Sequence, residues 1–369
     1  MRKQFIYKAK EGKMVHGSCL AALPDGRLLC AWFGGSREGA ADTEIWFSVG
    51  YTASESLPVP EAPADEEQGL QCRWTPAVCL TREEEACWNP VLLVYREHVF
   101  LYYKTGNKIA DWQTKVLTAR MDTLFWSKAR PLVLGDTSGG RGPVRTKPVV
   151  LVSGRICAGG SVERGEWQAF CDFSDDDGQN WTKGPLLGLN LLTGNAEATS
   201  GSGQERLPSE LPPLSPQSFN GRGVIQPALW QEMNGRLHMY MRSTEGYLYS
   251  SISEDDGRTW TDPVATALYN NNSGFDLIRT PGGRLFLACN PVSGNWGART
   301  PLSLFLGRED GSEWEVFCRV QTGKGEYSYP SLTYTFGGLW CSYTYNRTAI
   351  ALCFLTWKDI AARRKFRVG

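Results

Sequence analysis

Histidine is scarce in this chain, and its other absences narrow the chemistry further. Only three histidines occur in 369 residues (His16, His98 and His238), and their spacing is not that of metal ligands. The eleven cysteines are scattered, and no two stand at CxxC spacing. Most sit inside apolar strand-like runs, among them Cys19, Cys30, Cys79, Cys157, Cys289 and Cys341. Reduced, buried thiols are therefore expected, rather than a disulfide framework or a metal cluster. No metal and no cofactor is expected. A P-loop, a GxSxG elbow and a dinucleotide fingerprint are all missing. Basic and acidic residues balance at 39 each, so no basic face for nucleic acid is implied. No apolar run reaches the length of a membrane span. The N-terminal MRKQFIYKAK has early basic residues but no apolar signal core. A cytoplasmic location is expected on that ground, with secretion open if a leader has been trimmed.

What is abundant points to sheets and turns. Fourteen Trp and 40 Gly are many for this length. Aromatic residues fill pleated surfaces and glycine supplies turns. The stretch VIQPALWQEMNGRLHMYMRS, 224–243, reads as a hairpin turning at Asn234-Gly235. Five relatives share its pattern: HGSCLAALPDGRLLCAWFGG from His16, WNPVLLVYREHVFLYYKTG from Trp88, RTKPVVLVSGRICAGGSVE from Arg145, GFDLIRTPGGRLFLACNP from Gly274 and YSYPSLTYTFGGLWCSYTYNR from Tyr327. Each runs from a polar start through an apolar strand, a turn and a second apolar strand to polar residues. Six such copies, at intervals of roughly 50 to 80 residues, fit the blade period of a β-propeller.

A second repeat is phased with the first. SDDDGQNW at 174–181 and SEDDGRTW at 253–260 fit S-x-D-x-G-x-x-W, the Asp box, and GREDGSEW ending at Trp314 is a degenerate copy. The Asp caps the turn's own amides, Gly takes a positive φ and Trp plugs between strands. The box is structural. The expected architecture is all-β: a single six-bladed propeller over residues 1–369, its ring closed by the N- and C-terminal strands KQFIYKA and IALCFLTW. Residues 51–70 read as a blade insertion. Residues 191–218 read as a surface loop or, alternatively, a lid, and DIAARRKFRVG as a solvated tail.

In a propeller the start of each first strand and the loop after each second strand open on one face. The leading residues are His16, Asn89, Lys147, Gln226, Asp276 and Tyr329. Those after the second strands are Arg37, Glu38 and Asp42, then Lys104, Glu163, Arg242, Arg299, Tyr345 and Arg347. Such a polar pocket with several cations suits an anionic ligand, because an arginine fork gives a carboxylate two parallel charge-assisted hydrogen bonds. For each residue a bland alternative stands beside this one. The arginines could pair with surface carboxylates, Asp42 could serve only to solvate its loop, Tyr329 could be a packed strand residue, and His16 a satisfied structural donor.

The Asp boxes, the six hairpins and the tyrosine–arginine pocket resemble the sialidase (neuraminidase) superfamily over nearly the whole chain. The HGS start, the GGSREG loop, CWNPVL and YPSL are similar to its bacterial exo-α-sialidase-like branch. The resemblance implies retaining hydrolysis of terminal sialic acid from a sialylated glycan or oligosaccharide. An arginine triad would hold the sugar carboxylate, a tyrosine helped by a glutamate would be the nucleophile, and an aspartate the acid/base. Carried over residue by residue, Tyr329 matches the nucleophile, Arg242 and Arg299 the second and third triad arginines, Arg37 a sugar contact and Asp42 the acid/base. Two positions depart from the pattern. Val15 and His16 stand where the first triad arginine is expected, and Gln226 replaces the glutamate, so Glu326, Glu163 or Glu38 would have to assist Tyr329. Two other readings stay open at this level. One is a different glycan-active propeller enzyme, a glycosidase or lyase for an acidic sugar such as a glucuronate, with His16 as the key group. The other is a non-catalytic glycan-binding propeller.

Overall fold

Short apolar strands, the inner ones buried along nearly their whole length, build the architecture of the computed structural model, which describes residues 1–52, 72–189 and 221–365. The insertions expected at 51–70 and 191–218 fall outside these residues, apart from 51 and 52. The fold is all-β, with multiple antiparallel sheets. Among the described residues the strands form six antiparallel units, of which the third and fourth are hydrogen-bonded into one eight-stranded sheet through a two-residue parallel pairing at Glu166–Arg222 and Trp167–Gly223.

The first strands of the units are Met14–Ala22, Cys87–Tyr95, Val149–Val150, Arg222–Gln231, Asp276–Arg279 and Tyr327–Thr335. Each pairs with the strand after it, as the hairpin repeat requires. In the last unit Arg2–Lys8 adds to the edge of Ala349–Thr356, so the two ends of the chain share one sheet, as expected.

The core lies between consecutive units rather than in one centre. Leu29, Phe33 and Phe47 of the first pack with Leu92, Leu101 and Val116 of the second. Leu20, Leu28 and Trp32 pack equally with Trp340, Ile350 and Phe354 of the last. None of the eleven cysteines is joined in a disulfide, and only Cys79 is exposed. One expectation is corrected. The tail is not merely solvated, because Trp357–Lys365 is a helix whose Ile360 is buried in the apolar cluster of the last two units. Trp357 also donates its indole N–H to the Thr335 carbonyl.

The Asp boxes form as their spacing demands. Asp176 Oδ1 accepts the amides of Gln179 and Asn180, and Asp255 Oδ1 those of Arg258 and Thr259. Gly178 and Gly257 both take φ 84°, and the Trp181 and Trp260 indoles donate to their carbonyls.

Candidate active site

Four of the first strands carry the same defect. Two residues oppose one at Gly17-Ser18, Asn89-Pro90, Gln226-Pro227 and Tyr329-Pro330, each a β-bulge in its hairpin. Proline fits here because the ladder hydrogen bond is already interrupted. The first residue of each bulge has a positive φ: 61° at Gly17, 44° at Asn89, 52° at Gln226 and 52° at Tyr329. For glutamine and tyrosine this is a costly conformation, of the kind that persists when the surroundings over-determine it. The repeat therefore aligns Gly17, not His16, with the other leading residues, and His16 stands one position earlier.

The bulges bring Tyr329 to the centre of a cluster of cations. Arg242 Nη1 donates to Tyr329 Oη at 2.9 Å and to Gln226 Oε1 at 3.1 Å. The guanidinium carbons of Arg145, Arg299 and Arg242 lie 5.3, 5.4 and 5.8 Å from the Tyr329 ring centre. The His16 ring lies 4.2 Å from it, centre to centre, and its Nδ1 is 3.0 Å from Thr344 Oγ1. Burial, with the charges of Arg347, Arg299, Arg145 and Arg242 behind it, pushes the His16 imidazole well below its usual range, so it is neutral at neutral pH.

Several of these groups lack partners among the described residues. Arg145 is fully buried and donates from Nη2 to the Pro330 carbonyl, but its Nε and Nη1 have no acceptor. Arg242 Nε is buried and equally without one, and His16 Nε2 has no partner of either kind. Such donors cost about 1–3 kcal/mol each when left unmet, and more when charged.

Arg145 was not among the residues expected from sequence. It opens the RTKPVV repeat, but the strand that follows is only Val149–Val150, and the irregular segment before it carries the side chain inward. The neighbouring Thr146 hydroxyl donates to the Pro227 carbonyl, so residues 145 and 146 cap the bulges of two other units.

Other expected residues are engaged elsewhere. Lys147 and Asp276 pair with each other at 2.7 Å, and Asp276 also accepts the Leu332 amide, which ties the fifth unit to the sixth. Glu326 accepts Arg299 at 2.7 Å, Arg347 at 3.0 Å and the Ser328 hydroxyl. Burial raises its carboxyl, but the two arginines outweigh this and hold it below the ordinary value. Arg347 also binds Glu38, making a rim of ion pairs over the buried centre. Tyr345 packs on Phe5 and Tyr327. Lys104 is buried, donating to Thr114 Oγ1 and the Arg141 carbonyl, and burial lowers it to about 7. Asn89 is buried at its bulge.

Arg37 and Asp42 are exposed. Asp42 accepts Lys13 at 2.7 Å and the Ser36 hydroxyl and amide, which hold it well below the ordinary carboxylate range, the opposite of what a general acid needs. Glu163 behaves in the contrary way. Burial pushes its carboxyl up to about 7, against the pull of Arg242 and a hydrogen bond from Gln226.

The comparisons with known proteins agree with this fold. The BNR repeat-like domain model matches residues 26–340. A protein of unknown function from Dyadobacter fermentans is similar over 96% of this chain and 98% of its own, at TM-score 0.69 and 12% identity. The Trypanosoma rangeli sialidase in complex with the inhibitor DANA is similar over 100% of this chain and 61% of its own, at TM-score 0.67 and 12% identity. The NanB sialidase of Streptococcus pneumoniae follows at TM-score 0.67 and 12% identity, over 96% of this chain and 71% of its own. At such identities the likeness is one of fold. No curated protein matches.

Proposed function

The chain belongs to the BNR repeat-like domain family, within the sialidase superfamily, and from that premise we propose that it is a glycoside hydrolase acting on a terminal sugar that bears a carboxylate, of the sialic acid class. On this reading the six units are the blades of one propeller and the whole chain is one domain. The packing of the first unit on the last supports that ring.

One observation carries the reading. Arg145 and Arg242 present buried, unmet guanidinium donors beside a tyrosine whose oxygen touches Arg242. A substrate carboxylate supplies the missing acceptors, with Arg299 as the third cation. It also explains a tyrosine at the centre. A carboxylate nucleophile would be repelled by the sugar's own carboxylate, whereas a phenol is not. Arg145 takes the place of the first triad arginine from a different unit.

Proton handling falls to two groups. With His16 Nδ1–H donated to Thr344, Nε2 is an acceptor beside Tyr329, in the role that Gln226 cannot fill. Glu163 rather than Asp42 keeps a proton near neutrality for a leaving group. Glu326, held by Arg299 and Arg347, orders the rim.

The test is hydrolysis of a fluorogenic α-sialoside by the wild-type protein and by Tyr329→Phe. Turnover should drop on the order of a thousandfold or more in the variant, while a carboxylate inhibitor still binds. Unchanged turnover removes Tyr329 as nucleophile. A second reading, a uronate-processing enzyme, is favoured by the neutral His16 whose ring lies against that of Tyr329. It is selected if the wild type ignores the sialoside but turns over a uronic-acid glycan in a manner abolished by His16→Ala.

A further inference from the structure

Beside the donor-rich half of the pocket lies a segment of opposite character that the proposed chemistry does not use. Asn270, Asn271, Asn272 and Ser273 are consecutive, and each is at least 98% buried. Asn270, Asn271 and Asn272 each spend the amide nitrogen on the protein: on the Ser273 carbonyl, on the carbonyls of Gly297 and Ala298, and on Asn295 Oδ1 respectively. Their Oδ1 atoms and Ser273 Oγ have no partner among the described residues. The next residue, Gly274, lies so close under the Tyr329 ring that a Cβ there would meet it at 2.9 Å. The loop of residues 291–298 covers the turn on another side, with the Trp296 amide bonded to the Asn271 carbonyl.

Four consecutive side chains that hide hydrogen-bonding oxygens without donors do not arise from packing. Each buried unmet acceptor costs free energy, and an apolar residue of similar size would avoid it. On the arginine side of Tyr329 acceptors are missing, and on the turn itself the unmet atoms are oxygens, with Asn295 Nδ2 of the covering loop an unmet donor beside them. We infer that the turn 270–273 is a second subsite of the pocket, which takes hydrogen-bond donors of the ligand: sugar hydroxyls or an amide N–H on the part remote from the carboxylate. The ligand is then bipolar, an anionic end on Arg145, Arg242 and Arg299 and a donor-bearing end on the asparagine turn, with the Tyr329 ring between them. This rests on the carboxylate-sugar reading above and narrows it to hydroxyl- or amide-rich acids.

Ser273→Ala and Asn272→Gly test it. Ser273 Oγ bonds to none of the described residues, so its removal should not lower the melting temperature. Asn272 has φ 57°, which glycine adopts freely. The probes are N-acetylneuraminic acid and tetrahydropyran-2-carboxylate, which keeps the ring acid but has no donor-bearing arm. Affinities are measured by ligand-observed NMR titration. Each variant should bind N-acetylneuraminic acid three- to tenfold more weakly, the worth of one neutral hydrogen bond, and tetrahydropyran-2-carboxylate as the wild type does. Unchanged affinity for the sugar acid in both variants, at wild-type melting temperature, overturns the subsite and leaves the carboxylate reading standing. Equal weakening for both probes also overturns it, since the effect would then come through the arginines. If the wild type binds neither acid, the carboxylate reading falls and the subsite with it.

Discussion

Arg141 and Arg145 lie close together in the chain, and the surroundings of the two could hardly differ more. Arg141 forks onto Asp172 at 2.7 and 2.8 Å and donates again to the Trp181 carbonyl, while Asp172 also accepts the Gly142 amide. Every charge there is answered, and the site fastens one strand pair to the loop before it. Arg145 is more deeply buried, yet two of its nitrogens are unanswered and it faces the ring of a tyrosine in a strained conformation. The contrast holds across the molecule. The Asp boxes satisfy their turns internally, whereas the centre around Tyr329 collects unmet donors on one side and unmet acceptors on the other. The Asp-box turns close their own hydrogen bonds, whereas the centre around Tyr329 gathers unmet charged and amide groups for a ligand to close.

Substitution at the two arginines should separate stability from binding. Arg141→Leu leaves Asp172 buried and charged without its partner, and should cost roughly 3–5 kcal/mol of folding stability in a denaturant titration. Arg145→Met removes a poorly answered buried charge, so stability should hold or rise, while the affinity for a carboxylate sugar falls roughly ten- to a hundredfold. Equal stability losses in the two variants would erase the distinction.

Titration sharpens the same contrast inside the pocket. Folded Glu163 keeps its proton up to about 7, against an ordinary 4.5 in the unfolded chain. Between those values the folded state binds more protons, so this group's contribution makes stability fall as pH rises from 4.5 and level off above 7. His16 has the opposite sign. Its folded pKa is depressed, so the unfolded chain alone takes the proton below 6.5, and stability falls as pH drops. Denaturation midpoints of Glu163→Gln between pH 5 and 8 should decline less than those of the wild type, by on the order of 1–2 kcal/mol. A parallel profile would mean that Glu163 titrates normally.

The smallest effect on the pocket belongs to the Asp boxes. Gly257→Ala places a Cβ at φ 84°, 3.2 Å from Cys171 Sγ, and should cost about 1–2 kcal/mol while leaving ligand affinity untouched. A change in affinity would mean that the Asp box and the centre are coupled.

Sequence reading went furthest where the chemistry is local. The hairpin repeat and the Asp box were legible because a turn's Gly, Asp and Trp act on their own neighbours. Gln226, Arg242 and Tyr329 could be grouped from sequence because they occupy matching places in repeated strands, and in the structure Arg242 donates to the other two. Arg145 and the asparagine turn were not, because both lie in irregular segments before short first strands, where no period assigns a side chain a direction. Nor could sequence tell that Asp42 is taken by Lys13 and Ser36, or Glu326 by Arg299 and Arg347.

By itself, then, the sequence determined the strand and turn chemistry, the number and order of the hairpins and the stock of polar residues available to a pocket. Only the tertiary structure decided which of those charges neutralise one another and which stay unanswered. Partnership depends on approach between residues far apart in the chain, such as Arg145 with Pro330 and His16 with Thr344, and alternation along a strand carries no information about that approach.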